Sequence, residues 1–323
     1  MQLQNRSVLI IALAFAIGLG SGLLLRTREG GGTLLNLVGL QPGSQAEIPG
    51  SDSLVIPEAH QGRLQLFILA GQSNMSGRGT VPASGAEVNS RIYLFGNDYR
   101  WKLAREPVDD SANQVDPVSE DRPVGVSPGM TFARTLLEQD PGRVIGLIPC
   151  ARGDSAIHEW QRNWSDTTLY GSCLKRVRAA SGMGRVAGFL FFQGEVDAIA
   201  PTARPNRILL PDQWATQFTT MVQDWRRDLN SPRLPVVFAQ IGSNTEPEIF
   251  KNWATVQAQQ RQVRLPLTAM ITTEDLALQD FVHFTTASYQ AIGQRFAEAY
   301  LRLESQLGPA DAVRKPDAGS QIN

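Results

Sequence analysis

The chain has 323 residues, of which 42% are hydrophobic and 19% charged, and its formal net charge is −1. This composition allows one folded domain of roughly 200–250 residues together with extensions. It argues against a nucleic-acid partner, because such binders usually carry an excess of positive charge clustered on one face.

The first predicted element is an apolar segment near the amino end. Residues 8–25 include eighteen positions without a charge, flanked by Arg6, Arg26 and Arg28, and this length can span a bilayer. We favour an uncleaved membrane anchor within residues 1–28, because the apolar run continues directly into Arg26 without a small-x-small cleavage site. A cleaved signal peptide and a buried helix are the alternatives. In the first two cases the remainder lies outside the cytoplasm, either membrane-anchored or secreted or periplasmic.

Composition also predicts the limits of the folded unit. Residues 29–61 are rich in Gly, Pro and Ser without a sustained period, which indicates a flexible linker. Residues 306–323 have the same character and are predicted to be a disordered tail. The folded domain is therefore expected over residues 62–305.

Six short apolar runs alternate with helical patterns in this central part. Most runs are apolar at consecutive positions, as expected for strands that are covered on both faces in a parallel sheet. The segments between them place apolar side chains on one helical face, as with Trp214, Phe218 and Trp225. This alternation predicts an α/β fold, a three-layer α/β/α sandwich around a mostly parallel central sheet. The predicted strands are Leu64–Ala70, Arg91–Phe95, Val144–Pro149, Val186–Phe192, Leu234–Ile241 and Leu267–Thr272.

Ser73 follows directly after the first strong predicted strand, in the sequence GQSNM. In open α/β sheets, functional sites form in the crevice beyond the carboxyl ends of the strands, so a hydroxyl at this position can face a pocket. Ser73 is therefore a candidate nucleophile. The alternative is a simple strand-to-helix turn in which Ser73 caps a helix, and position alone does not separate the two.

A serine nucleophile needs a base within hydrogen-bond reach, and the chain has three histidines, His60, His158 and His283. His60 falls in the predicted linker, and His158 is interpreted as a surface or pocket-rim residue. His283 follows the last predicted strand, at the same edge of the sheet as Ser73. Asp280 lies three residues earlier and can accept the Nδ1 hydrogen of His283. Ser73, Asp280 and His283 are thus the predicted catalytic residues.

Two further strand ends supply candidate donors for an oxyanion hole. Gly153 follows the strand that ends at Pro149 and could bring a backbone N–H close to substrate. Gln193 follows Phe192 and carries a neutral amide donor. Glu195 and Asp197 come next, and we expect them to brace the Gln193 turn or to contact sugar hydroxyls.

Cys150 and Cys173 are the two cysteines of the chain. Cys150 ends a predicted strand and Cys173 lies on the predicted helical segment 169–180, so the two could come within disulfide reach. An extracytoplasmic location would permit oxidation. The other interpretation, two small buried thiols that never meet, is slightly favoured, because cysteine at the end of a core strand is an ordinary packing choice.

Taken in order, these motifs resemble the ordered blocks of the SGNH hydrolase superfamily, in its carbohydrate esterase family 6 and sialate O-acetylesterase-like branch. The resemblance covers about residues 64–302, and GQSNM is its strongest single block. The matching blocks are GQSNMSGR at 71–78, GLIPCA at 146–151 with Ile157 and Trp160, FQGE at 192–195 with Asp197, and DFVHF at 280–284, in which position 281 is not specified.

The resemblance implies that Ser73 is the nucleophile, His283 the general base and acid, and Asp280 its orienting partner. It also implies oxyanion donors at the Ser73 N–H, the Gly153 N–H and the Gln193 side chain, and a metal-free reaction without a cofactor. The sequence has no cysteine pair or His-x-x-x-His with metal-ligand spacing. Asp154 stands where the family usually has glycine. Its charge would oppose an oxyanion unless it points away or pairs with Arg152.

The predicted function is removal of O-acetyl groups from carbohydrate through an acyl-enzyme on Ser73. Transfer of the acyl group to a sugar uses the same intermediate, so the sequence does not separate it from hydrolysis. A catalytically silent carbohydrate-binding protein on this scaffold is the alternative from another class. The intact set of Ser73, Asp280 and His283 argues against silence.

Overall fold

The computed structural model describes residues 55–83 and 87–308. The predicted anchor at 8–25, most of the predicted linker and the end of the predicted tail lie outside the described residues. Within the described part of the chain, no helix combines the length and apolar character needed to cross a membrane.

A seven-stranded sheet forms the centre of the domain, in the order β3-β2-β4-β1-β5-β6-β7. All neighbouring strands are parallel except β3, which pairs antiparallel with β2. The strands are β1 (Leu64–Gly71), β2 (Ile92–Phe95), β3 (Trp101–Leu103), β4 (Ile145–Pro149), β5 (Gly184–Phe192), β6 (Val236–Ala239) and β7 (Thr268–Ile271).

Helices cover both faces of this sheet, and alternate residues of β1 divide between two cores. Leu66 and Ile68 belong to the core beneath α3, α4 and α5, whereas Phe67 and Leu69 pack towards α2 and α6. The predicted three-layer α/β/α sandwich is therefore confirmed. The helices are α1 (Ser73–Ser76), α2 (Pro128–Gln139), α3 (Leu169–Ala180), α4 (Trp214–Asp228), α5 (Trp253–Gln262) and α6 (Thr286–Glu304).

The sheet differs from the prediction at one edge. All six predicted strands are present, with ends shifted by one or two residues, but β3 was not predicted. It has three residues, each only partly buried, and it pairs through Trp101, Lys102 and Leu103 with β2. So short a strand carries neither an apolar run nor an alternation from which it could be recognised.

The folded contacts begin before residue 62, the predicted domain boundary. Ile56 is 2% exposed and belongs to the main core, and Gln61 donates a hydrogen bond to the Ile56 carbonyl. His60 lies 2.8 Å from the Tyr93 hydroxyl through its Nδ1. The last residues of the segment predicted as linker thus pack against β2.

Strand order also fixes where a site can form. The chain leaves β1 for β2 on one side and later returns to β5 on the other, so the connections diverge around β1. In open α/β sheets, ligands bind at the carboxyl edge beside such a switch point. The segments that follow β1, β4, β5 and β7 therefore meet at one edge.

Candidate active site

A continuous hydrogen-bonded chain links the three predicted catalytic residues. Ser73 is the first residue of α1, directly beyond β1, and its Oγ lies 2.8 Å from His283 Nε2. His283 Nδ1 lies 2.8 Å from Asp280 Oδ2. When Nδ1 donates its hydrogen to Asp280, Nε2 is left to accept the Ser73 hydroxyl hydrogen. The Ser73 hydroxyl thus bonds to an imidazole rather than capping the helix.

A tight turn places Asp280 beneath His283. Asp280 Oδ1 accepts the backbone N–H groups of Val282 and His283 at 2.9 and 2.8 Å, while Oδ2 faces the imidazole. Partial burial on its own would raise the pKa of Asp280, but the hydrogen bonds from His283 and from the two backbone groups outweigh it and lower that pKa. The turn therefore keeps a carboxylate beside the imidazole.

Glycine is required just before the nucleophile, because the end of β1 approaches β5 very closely. Gly71 has φ of +130°, and a Cβ added there would lie 2.1 Å from the Phe192 carbonyl oxygen. Gln72 then accepts hydrogen bonds at its side-chain oxygen from the region after β5, including the Gly194 N–H at 3.3 Å. These contacts fix the path of the chain into Ser73.

Two backbone N–H groups, at Ser73 and at Gly153 in the loop after β4, are candidate donors to a substrate oxygen. Among residues 55–83 and 87–308, neither the Ser73 N–H nor the Gly153 N–H has an acceptor. The Gly153 backbone packs closely against Asp121 and Arg78. A Cβ added at Gly153 would lie 2.5 Å from Asp121 Oδ1 and 2.8 Å from an Arg78 nitrogen. Unpaired N–H groups of this kind can receive the oxygen that becomes negative in ester hydrolysis.

Gln193 has different partners from those predicted. Its side chain is fully buried, and Nε2 donates to Asp197 Oδ2 at 2.7 Å and to the Ser155 carbonyl at 3.0 Å. Its Oε1 accepts the Trp214 indole N–H at 2.9 Å. Both amide hydrogens are thus engaged within the protein, so this geometry does not support the predicted oxyanion role of Gln193. Through these hydrogen bonds, Gln193 connects the end of β5 to the segment that follows β4.

Glu195 is also placed inside the protein rather than at an open surface. It is 2% exposed, and its Oε1 accepts a hydrogen bond of 2.5 Å from Asn74. Asn74 in turn donates to the Val282 carbonyl and accepts the Tyr289 hydroxyl. Burial raises the pKa of Glu195. The Glu195 carboxylate is therefore not exposed for the predicted substrate contact. Glu195 instead connects Asn74, the residue after Ser73, to the segment that contains His283.

Asp197 braces the same region, as one of the two sequence interpretations expected. Besides Gln193, its carboxylate accepts the Ile157 N–H at 2.8 Å and the Leu210 N–H at 3.2 Å. The side chain is fully buried. Asp197 therefore joins the segments that follow β4 and β5.

The unusual carboxylate Asp154 is neutralised, although not by Arg152. Asp154 Oδ2 lies 2.6 Å from Arg207, and its Oδ1 lies 3.4 Å from Arg204. Arg152 instead donates to the Gly153 carbonyl at 2.6 Å. Two arginines from the segment after β5 thus offset the negative charge beside the Gly153 loop.

A disulfide joins Cys150 and Cys173, whose Cα atoms are 5.5 Å apart. Both residues are 1% exposed. The slightly favoured interpretation of two separate thiols was therefore wrong. The bond ties the end of β4 to α3, three residues before Gly153.

Sequence reasoning missed the ion pair that supports the Gly153 loop. Arg78 contacts both carboxylate oxygens of Asp121, at 3.0 and 2.9 Å, and Ser76 donates to the same carboxylate at 2.5 Å. Arg78 belongs to the GQSNMSGR block, which marked it as part of the site. Asp121 lies in an irregular segment between β3 and α2, and no periodic pattern distinguishes it from its neighbours.

A serine, a histidine and an aspartate in this arrangement, at the carboxyl edge of an α/β/α sandwich, are the constellation that serine hydrolases of the acyl-transfer type use. The comparison with protein families agrees. The family "Carbohydrate esterase, sialic acid-specific acetylesterase" matches residues 63–302. The chain belongs to this family and is a carboxylic ester hydrolase.

Individual relatives support the same assignment. A probable carbohydrate esterase from Arabidopsis thaliana is 33% identical over 257 residues, which cover 73% of this chain and 90% of the relative. The X-ray structure of the Arabidopsis protein has a TM-score of 0.63, at 28% identity, over 74% of this chain and 98% of that one.

A more distant structural neighbour is a carbohydrate acetylesterase from Xanthomonas citri. Its TM-score is 0.53 at 20% identity, over 75% of this chain and 57% of that one. At this identity the likeness bears on the fold alone. It agrees with the α/β/α fold that the sequence predicted.

Proposed function

We propose that this esterase removes O-acetyl groups from carbohydrate by forming an acyl-enzyme on Ser73. The hydrogen-bonded chain from Ser73 through His283 to Asp280 is the observation that carries the proposal. Each link measures 2.8 Å, a length suited to proton transfer between the reacting groups. Family membership supports an acetylated sugar as the substrate class.

In the first half of the reaction, Ser73 Oγ attacks the acetyl carbonyl carbon while His283 Nε2 takes the hydroxyl proton. The carbonyl electron pair moves to oxygen, which the N–H groups of Ser73 and Gly153 stabilise. The Asp280 carboxylate stabilises the imidazolium. Collapse of the intermediate breaks the bond to the sugar oxygen, which leaves with the proton from His283.

In the second half, His283 removes a proton from water, and the resulting hydroxide adds to the acetyl carbon. Collapse of this intermediate breaks the bond to Ser73, which recovers its proton from His283. The products are acetate and the deacetylated sugar. A sugar hydroxyl in place of water would give acyl transfer instead.

Acetate release tests the proposal directly. The domain of residues 55–308 should be incubated with acetylated xylan, O-acetylated peptidoglycan fragments and O-acetyl sialic acid. The native sequence and the Ser73→Ala variant are compared. We expect acetate from at least one, and a loss of several orders of magnitude in Ser73→Ala. Ser305→Ala, at the exposed end of α6, is the matched control and should retain activity. Acetate from none of them, or an active Ser73→Ala, would contradict the proposal, and acetyl transfer to an added sugar would redirect it.

We also propose that the catalytic domain works outside the cytoplasm. The apolar segment 8–25 and the Cys150–Cys173 disulfide support this, because disulfides persist mainly in oxidising compartments. Protease added outside a sealed cytoplasmic membrane should then cleave the domain and leave a cytoplasmic marker intact. Equal protection of domain and marker would overturn the location.

A further inference from the structure

We infer that Phe281 is a stacking platform for the sugar ring that carries the acetyl ester, an inference that rests on the proposed function. Phe281 lies between the two functional residues Asp280 and His283, at the position that the family-like block does not specify. The catalytic geometry of that block therefore does not itself require an aromatic side chain at 281.

Burial alternates along this segment. Val282 and Phe284 are 5% and 1% exposed and belong to the two cores, whereas Phe281 and His283 are only partly buried. The anchoring of the segment is thus done by Val282 and Phe284. Phe281 packs against one of these cores but remains partly open to solvent.

The ring of Phe281 is held close to that imidazole. The centroids of the Phe281 and His283 rings are 6.0 Å apart, and the ring planes meet at 60°. An acetyl group within reach of Ser73 must also be near His283, because the two side chains are hydrogen-bonded. The sugar attached to that acetyl group therefore extends into space that Phe281 borders.

A buried aromatic stack holds Phe281 in place. Phe250 stacks on it with centroids 6.0 Å apart and planes at 22°, and Trp253 packs edge-on against Phe250 at 5.4 Å. Phe250 and Trp253 are 5% and 8% exposed, and the Phe281 carbonyl accepts the Thr245 N–H at 3.1 Å. A flat ring held in advance loses little conformational entropy when it binds a ligand.

The chemistry of this surface suits a sugar. One face of a pyranose ring exposes C–H groups, which pack favourably on an aromatic face, while its hydroxyls stay at the edge in contact with water. The segments after β4 and β5 bring charged groups, including Arg207, towards the same edge of the sheet. An apolar platform and charged groups at the same edge of the sheet match a sugar, whereas a small alkyl ester would not need the platform.

The inference is tested by comparing two kinds of ester on matched variants. The sugar probes are O-acetyl sialic acid, partly acetylated xylo-oligosaccharides and O-acetylated peptidoglycan fragments, and ethyl acetate is the small ester. For Phe281→Leu, we expect KM for the best sugar probe to rise about tenfold with little change in kcat. The kcat/KM for that sugar probe, divided by the kcat/KM for ethyl acetate, should therefore fall about tenfold. Phe281→Tyr should restore the ratio. Ile208→Ala removes an apolar side chain that is 60% exposed and should leave the ratio as it is.

Each other outcome is decisive. If Phe281→Leu leaves the ratio unchanged, the platform is overturned while the proposed function stands. The same holds if kcat/KM falls equally for both esters, which is what a displaced His283 would cause. If the unmodified enzyme cleaves ethyl acetate but none of the three sugar probes, the proposed function is overturned, and the platform with it.

Discussion

At the scale of single residues, the Asp280 carboxylate does two separate tasks with its two oxygens. Oδ1 holds the turn through two backbone N–H groups, and Oδ2 receives the imidazole hydrogen. The first task needs only an oxygen. The second also fixes which ring nitrogen of His283 faces Ser73 without a hydrogen. A substitution that keeps one oxygen can therefore separate the two.

Asp280→Asn should leave the fold intact and reduce kcat by roughly 10³-fold or more. The amide can keep its oxygen on the backbone N–H groups, but its NH₂ then faces His283 Nδ1 and forces the ring hydrogen onto Nε2. That nitrogen can no longer accept the Ser73 proton. The measurement is kcat at neutral pH on an acetyl ester, with Asp275→Asn as the control, since Asp275 is exposed and pairs with Arg295. A fully active Asp280→Asn would show that the carboxylate is dispensable.

At the scale of elements, the segments after β4 and β5 form one unit around the Gly153 loop. Arg207 contacts Asp154, and Gln193 reaches back to Ser155. The charge of Asp154 stays compatible with a developing oxyanion only while its arginine partners offset it.

Arg207→Gln should lower kcat roughly fivefold, corresponding to about 1 kcal/mol of transition-state stabilisation, because Asp154 keeps only its longer contact with Arg204. Adding Asp154→Asn to Arg207→Gln should restore most of the loss. Asparagine is suitable because position 154 has φ of +57°, a conformation that it tolerates well. The kcat values of the four enzymes of this double-mutant cycle are the measurement. If the effects of the two substitutions on the logarithm of kcat are additive, Arg207 does not act on kcat through Asp154.

The disulfide joins two elements and should stabilise the domain. Closing the loop between Cys150 and Cys173 contributes about 3 kcal/mol by the chain-entropy relation, and its loss should lower Tm by about 6–12 °C. Thiol titration of the denatured, unreduced protein should find no free thiol. Reductant should lower the Tm of the native sequence but not that of the Cys150→Ala/Cys173→Ala variant. Two titratable thiols in the unreduced protein would contradict the bond.

The meeting of Ser73 and His283 was predictable from sequence because the parallel strands end at one edge of the sheet. Ser73 and His283 are far apart in the chain, yet each follows a predicted strand, and this alone predicted their meeting. The partners of Gln193 were not predictable in this way. A strand-end position fixes where a side chain starts, but Asp197 and Trp214 come from other segments, and the contacts among them arise only from tertiary packing.

At the scale of the whole molecule, pH should act on stability through two carboxyls, the partly buried Glu106 and the buried Asp109. Burial raises the pKa of Glu106 to about 7, although hydrogen bonds from Ser127 and Val108 oppose the shift. Burial, together with the nearby Asp121, raises the pKa of Asp109 to about 7. Since the unfolded state releases these protons near pH 4, the stability that they contribute falls as pH rises from about 4 to about 7.

Asp109→Asn should remove part of this pH dependence, because the amide imitates the protonated acid. Its free energy of unfolding should match that of the native sequence near pH 4 and exceed it increasingly towards pH 8. Urea unfolding across this range is the measurement. Asp110→Asn, at the adjacent exposed position, is the control and should follow the native curve. Parallel curves for Asp109→Asn and the native sequence would mean that Asp109 titrates alike in both states.

Covalent trapping of the nucleophile is the sharpest test of the proposed role of Ser73. An organophosphonate reacts with an activated serine and leaves a stable covalent adduct, which peptide mass spectrometry can locate. We expect one adduct, on Ser73, and its loss in His283→Ala because no base remains to activate the hydroxyl. An adduct on another residue, or labelling of Ser73 that is undiminished in His283→Ala, would contradict it.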